Sequence, residues 1–231
     1  MKVAAIVPSA GKGKRLKSNV EKPYLQLGNK PILAHTLLRL SSNKHINEIV
    51  LAVTNKSIDF AREKIINRYG IKKIYVVIGG KERRDSVYNA LKRVSMDIDY
   101  ILIHDGVRPF ITDNLIESLL KAASKFGASV ACVPVKPTLK IVDKQGFIKD
   151  TPLRRYYWEA QTPQVFKRDL IEKAYENAIK KDIKASDDSM LVELMGAKPK
   201  IVMGSYSNIK ITTEEDLELA KILLKTVTRN T

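Results

Sequence analysis

Cysteine is almost missing from this chain: Cys132 stands alone among 231 residues, so no intrachain disulfide can form and no disulfide framework holds the fold. It sits in the apolar run Ala128-Ser129-Val130-Ala131-Cys132-Val133, the setting of a small buried side chain rather than a reactive thiolate. Histidine is sparse too. His35, His45 and His104 lie far apart and there is no CxxC pair, which excludes a structural zinc site. No uncharged apolar run approaches the roughly 18 residues of a membrane span, and the opening Lys2-Val3-Ala4-Ala5-Ile6-Val7-Pro8 is too short for a signal peptide. A reducing, cytoplasmic setting is expected.

Acidic residues are also in short supply, 25 Asp+Glu against 41 Lys+Arg, for a net charge of +16. Such a surplus suits a nucleic-acid surface, an anionic membrane surface, or a pocket for a polyphosphate on a lysine-rich exterior. The basic residues are scattered, with short clusters only at Lys12-Gly13-Lys14-Arg15 and Lys81-Glu82-Arg83-Arg84, and scatter favours solvated faces over a nucleic-acid stripe. With 44% hydrophobic and 29% charged residues the chain can bury a core and still solvate its surface. Without repeats, low-complexity tracts or a linker, it reads as one domain over residues 1–231.

What is present is an alternation of Val/Ile-rich runs with segments of helical period. Strands are predicted at 3–8, 47–53, 73–78, 99–104, 128–134 and 199–203, with helices at 31–41, 57–68, 83–94, 112–126, 167–180 and 213–226. This is the pattern of a doubly wound, mostly parallel α/β sheet. One segment breaks it: in 136–158, Leu139-Lys140-Ile141-Val142 and Leu153-Arg154-Arg155-Tyr156-Tyr157-Trp158 flank a turn at Asp143-Lys144-Gln145-Gly146. A protruding β-hairpin is expected there, and its aromatic end calls for a partner subunit.

In open α/β sheets ligands bind beyond the carboxyl ends of the strands. After the first strand, Pro8-Ser9-Ala10-Gly11-Lys12-Gly13-Lys14-Arg15 offers backbone N–H groups and positive charge to a phosphate. It lacks the GxxxxGK pattern, and Leu16 stands where a dinucleotide fingerprint needs Gly or Ala. After the third strand, Gly79-Gly80 runs into a helix start bearing Ser86, compatible with nucleotide contacts or with a capped turn. After the fourth, His104-Asp105-Gly106-Val107-Arg108-Pro109 places a carboxylate suited to a metal phosphate beside an arginine suited to an anion. Glu159-Ala160-Gln161-Thr162-Pro163-Gln164 and Ser207-Asn208-Ile209-Lys210-Ile211-Thr212 complete the set, the latter ahead of a helix capped by Thr213 and Asp216.

Taken in order, Ser9-Ala10-Gly11-Lys12-Gly13-Lys14-Arg15, Gly79-Gly80 with Arg83 and Asp85-Ser86-Val87, His104 to Pro109, Trp158 to Gln164, and Asn208 to Thr212 resemble the 2-C-methyl-D-erythritol 4-phosphate cytidylyltransferase family. The resemblance implies a homodimer that uses Mg²⁺ to join CTP to methylerythritol 4-phosphate and release pyrophosphate. Matched position by position, it implies nucleotide contacts at Ser9, Ala10, Gly11, Gly80, Ser86 and Gly106, catalytic cations at Arg15, Lys22 and Lys210, and a metal-linked acid at Asp105. It implies polyol-phosphate contacts at Arg108 and Thr162, with Thr138 and Arg154 reaching in from the hairpin of the other subunit. The chain departs from the family at Ser9, at Glu21-Lys22-Pro23, at Pro137-Thr138 and at Ser186-Asp187; Glu21 is expected to pair with Lys22 in the empty site. A ribitol 5-phosphate cytidylyltransferase shares most of these motifs and differs in the alcohol pocket. A basic nucleic-acid-binding protein is the alternative of another class.

Overall fold

A computed structural model describes residues 1–11 and 21–229. In chain order the elements are β1 (Val3–Pro8), β2 (Gln26–Leu27), β3 (Lys30–Pro31), α1 (Ile32–Ser42), β4 (Ile46–Val53), α2 (Ile58–Phe60), β5 (Ile74–Ile78), α3 (Arg83–Leu91), β6 (Tyr100–Ile103), α4 (Asp113–Phe126) and β7 (Ala128–Pro134). They continue as β8 (Ile141–Val142), β9 (Ile148–Asp150), β10 (Trp158–Lys167), α5 (Arg168–Lys180), α6 (Asp188–Glu193), β11 (Lys200–Met203) and α7 (Glu214–Arg229). A wider helical stretch, Ala61–Asn67, prolongs α2.

Seven strands form the central sheet in the order β11-β7-β10-β6-β1-β4-β5. All neighbours are parallel except β10, which runs antiparallel to both β6 and β7. The expected doubly wound, mostly parallel α/β architecture is therefore the observed one. β1 shows why its residues are continuously apolar: Val3, Ala5 and Val7 face one layer with Leu33, Leu37 and Leu119, while Ala4 and Ile6 face the other with Val87, Leu91 and Ile171. A strand buried on both faces needs no polar alternation. A smaller cluster of Leu27, Ile32, Val107, Phe110, Ile211 and Ala220 docks α7 onto the loop after β6.

Helix ends follow local chemistry. Thr112 caps α4 by accepting from the Leu115 amide at 3.4 Å, and Gly127 closes it at φ +84°, a left-handed conformation that favours glycine. Before α7, the Asp216 carboxylate accepts from the Thr213 amide at 2.9 Å while the Thr213 hydroxyl accepts from the Asp216 amide at 3.3 Å, the reciprocal cap the spacing predicts.

Several features differ from expectation. The hairpin pairs β8 with β9, Ile141 opposite Asp150, so its second strand is 148–150 and not 153–158. Residues 154–156 form a single turn instead, and Trp158 opens β10, a central strand that periodicity misses because Gln161, Pro163 and Gln164 interrupt any alternation. The short helix α6 and the two-residue strands β2 and β3 are further elements that the sequence pattern does not predict.

The chain order reverses at β1, which has β4 on one side and β6 on the other. The carboxyl ends of β1 and β6 flank this switch point, where ligands of open α/β sheets bind. β10 runs the opposite way, so its first half brings Gln161 and Thr162 to the same end of the sheet.

Candidate active site

The first loop leaves β1 with the Ser9 amide donating to the Ala52 carbonyl at 2.7 Å. Ser9 is buried, its hydroxyl without a partner among the described residues, and Gly106 lies against it: a Cβ at 106 would stand 2.2 Å from Ser9 Oγ. Ala10 meets the second loop, for a Cβ at Gly79 would fall 2.4 Å from its methyl group. Gly80 packs onto the start of α3, where a Cβ would lie 2.1 Å from Asp85 Cβ and 3.0 Å from the Asp85 carbonyl carbon. The Gly80 amide donates to Ser86 Oγ at 3.0 Å, and Ser86 Oγ donates to the Glu82 carbonyl at 3.0 Å. Ser9, Ala10, Gly80, Ser86 and Gly106 are thus brought to one place, with Gly11 exposed beside them. Arg15 lies outside the described residues.

Asp105, immediately after β6, is the electrostatic centre. Its Oδ1 accepts from Arg83 Nε at 3.1 Å, its Oδ2 pairs with Lys210 Nζ at 2.8 Å, and Arg108 Nε is 3.7 Å from Oδ2. Burial alone would push the Asp105 carboxyl up; Arg83, Lys210 and Arg108 outweigh it and hold the group well below the usual carboxylate range. Arg108 donates to the Asn208 carbonyl at 2.7 Å, while its Nε is buried with no hydrogen-bond acceptor among the described residues. That edge of the guanidinium faces the Asp105 carboxylate as an ion pair without a close hydrogen bond.

A neutral network seats this cluster. The Asp105 amide donates to Thr162 Oγ1 at 3.0 Å, Thr162 Oγ1 lies 3.1 Å from His104 Nδ1, and His104 Nε2 lies 3.0 Å from the Arg108 carbonyl. The carbonyl can only accept, so Nε2 carries the proton and Nδ1 accepts the Thr162 hydroxyl hydrogen; the tautomer is assigned from these partners. Burial lowers the His104 pKa to about 4, so the ring is neutral at physiological pH. Asn208 Nδ2 donates to the Thr162 carbonyl at 2.8 Å, tying the loop that carries Lys210 to β10.

Lys22 reaches the same loop, Nζ donating to the Thr212 carbonyl at 3.2 Å. Glu21 does not behave as expected from its neighbour: its carboxylate accepts from the Thr54 hydroxyl at 3.0 Å. Thr138 and Arg154 are exposed on the arm, Arg154 donating to the Lys136 carbonyl at 2.7 Å. Among the described residues no hydrogen bond or ion pair joins either to the Asp105 cluster. Motif reading also missed Asp188, which grips Arg83 from behind, and Tyr175, which donates to Asp188; a buried acid on a short helix and a tyrosine inside a helical stripe carry no local signature.

Among the described residues no three His, Cys, Asp or Glu side chains gather as a metal site. A hard dication that keeps most of its water and takes its other oxygens from substrate phosphates needs only one or two carboxylates, and ionised Asp105 fits that demand.

The family profile described as 2-C-methyl-D-erythritol 4-phosphate cytidylyltransferase matches residues 3–226. The chain belongs to this cytidylyltransferase family. It is 47% identical over 226 residues to the cytidylyltransferase of that name from Alkaliphilus oremlandii, covering 97% of this chain and 96% of that protein. With the one from Clostridioides difficile it shares 45% over 221 residues, covering 96% and 93%. Among solved structures, the 4-diphosphocytidyl-2C-methyl-D-erythritol synthase of Anaerococcus prevotii superposes with a TM-score of 0.87 at 36% identity, covering 96% of both chains. The cytidylyltransferase of Thermus thermophilus superposes at 0.81 with 29% identity, covering 97% of this chain and all of that one. No described helix of this cytidylyltransferase is long and apolar enough to cross a membrane.

Proposed function

We propose that this protein transfers CMP from CTP to 2-C-methyl-D-erythritol 4-phosphate, releasing pyrophosphate and forming 4-diphosphocytidyl-2-C-methyl-D-erythritol. The observation that carries the reading is the Asp105 cluster, three cations around one ionised carboxylate at the sheet's switch point, joined to the two glycine loops of a nucleotide site.

The reaction asks for charge rather than proton transfer. The phosphate of the polyol is already anionic near neutral pH, so an oxygen of it attacks the α-phosphorus of CTP, a new P–O bond forms, and the bond to the β-phosphate oxygen breaks with its electron pair leaving on pyrophosphate. The barrier lies in bringing anions together and in charge accumulating on the α-phosphate and the leaving group. Lys22 and Lys210, joined by Arg15, meet that charge; Arg108 and Thr162 hold the incoming phosphate. Asp105 would hold a divalent cation such as Mg²⁺, which neutralises triphosphate charge when bound. The backbone-lined loops at Ser9–Gly11 and Gly79–Gly80 leave room for a pyrimidine and would leave polar groups unpaired against a purine.

The same reading makes the protein a single nucleotidyltransferase domain that works as a homodimer in the cytoplasm, where CTP is made. Phe147 is 72% exposed, Tyr156 71%, Leu153 62% and Ile148 62%, an apolar surface that a second subunit would cover. On that arrangement Thr138 and Arg154 complete the polyol-phosphate site of the partner. Pyrophosphate release with CTP, ATP and GTP in turn tests the assignment: CTP supports turnover, and comparable rates with purine triphosphates would refute it.

A further inference from the structure

The Asp105 carboxylate has a support that its own loop does not supply. Arg83, which gives Nε to Asp105, donates both terminal nitrogens to Asp188, at 2.8 and 2.7 Å. Asp188 is 1% exposed and also accepts from the buried Tyr175 hydroxyl. Tyr175 stacks parallel on Tyr88 of α3 with ring centroids 6.5 Å apart. Asp188 is the first residue of α6, and that end is fastened to β10: Gln164 accepts from the Ser189 amide at 2.9 Å and donates to Asp187 at 2.8 Å. The line Tyr175–Asp188–Arg83–Asp105 thus runs from α5 through α6 and α3 to the reaction centre.

The two cations on Asp105 differ in freedom. Lys210 is 40% exposed, and among the described residues its ammonium pairs with Asp105 alone. Arg83 is held by a two-pronged contact that fixes the plane of its guanidinium, and Asp188 cancels its charge locally. An arriving polyphosphate can draw Lys210 away; it cannot draw Arg83 without stripping Asp188 of its partner in a buried site, which is costly.

We propose that Asp188, backed by Tyr175, is a positioning residue that commits Arg83 to Asp105, so that the carboxylate keeps its orientation when Lys210 transfers to the substrate phosphates. The inference rests on the role given above to Asp105. Nothing in the sequence motifs marks Asp188 for it.

The test is steady-state kinetics of the full-length protein with CTP and methylerythritol 4-phosphate, normalised to folded protein. Asp188→Asn keeps the shape and removes the charge; kcat falls about 10–100-fold, the usual loss for an orienting partner, while KM for CTP stays within about threefold. Tyr175→Phe lowers kcat about threefold, and the double variant Arg83→Gln/Asp188→Asn is no slower than Arg83→Gln alone, because both changes break one line. Normal kcat in folded Asp188→Asn, or losses that multiply in the double variant, overturns the proposal. Where Asp188→Asn does not fold, Tyr175→Phe and the charge-neutral double variant decide: a folded double variant matching Arg83→Gln supports the line, and wild-type kcat in Tyr175→Phe together with a double variant slower than Arg83→Gln refutes it. Asp105→Asn separates the two layers. Near-normal turnover there removes the role of Asp105, whereas its loss beside an unaffected Asp188→Asn removes only the positioning role.

Discussion

Acidification from pH 7 to pH 5 should destabilise this protein through His104. The buried ring titrates at about 4 in the folded state, against about 6.5 in the unfolded chain. Between those values the unfolded chain holds the extra proton, so stability falls as pH falls, and it is constant above about 7. At pH 5 the loss from this residue is about 2 kcal/mol, growing to about 3 below pH 4, because each pH unit in the window is worth about 1.4 kcal/mol. For a chain of this size that lowers Tm by roughly 4–8 °C at pH 5. His35, lowered by burial, adds in the same direction. Asp97, Asp105, Asp216 and Glu215 are held low and contribute only below their unfolded values near 4, outside the window in which His104 acts. Urea unfolding at pH 7 and pH 5 measures the difference, with His35→Gln and His104→Asn as controls. Wild type and His35→Gln should lose stability on acidification, and His104→Asn should lose about 2 kcal/mol less. Equal stability of wild type at both pH values, or an undiminished loss in His104→Asn, would refute the buried neutral imidazole.

Three further outcomes follow from the geometry. Lys22→Ala and Lys210→Ala should each lower kcat by ~10²–10³, the cost of removing one preorganised donor, with thermal melts close to wild type; near-normal kcat in either removes that lysine from the set. Gly80→Ala places a methyl group 2.1 Å from Asp85 Cβ and against Asp85 backbone, so a loss of about 1–3 kcal/mol and a raised KM for CTP are expected, whereas Gly11→Ala, whose methyl group meets nothing within 4 Å among the described residues, should be mild in melting experiments. Mixing Lys22→Ala with Arg154→Ala under subunit exchange should restore activity to about a quarter of all sites if the arm acts across a two-fold interface; no recovery, with exchange confirmed independently, means the arm serves its own subunit.

The parallel strands and most helices were legible because each is long and of one period: 3–8 and 128–134 are unbroken apolar runs, and 112–126 repeats every three or four residues between Thr112 and Gly127. β10 was not, because a strand whose first half lines a polar site must carry Gln161, Thr162 and Gln164 where a core strand carries apolar residues. Loop residues such as Asp105 and Lys210 stood out by their motifs, yet their pairing depends on two chain segments about a hundred residues apart. Arg83 was visible as part of a motif, but its grip on Asp188 depends on how α3 and α6 meet, which local sequence does not encode.

The most direct test of the whole account is identification of the product formed from CTP and each polyol phosphate, by mass spectrometry with pyrophosphate release followed in parallel. With methylerythritol 4-phosphate and Mg²⁺ the cytidine diphosphate ester and one pyrophosphate per ester are expected, with little turnover of ribitol 5-phosphate. Efficient conversion of ribitol 5-phosphate with none of methylerythritol 4-phosphate, or duplex binding without pyrophosphate release, would contradict it.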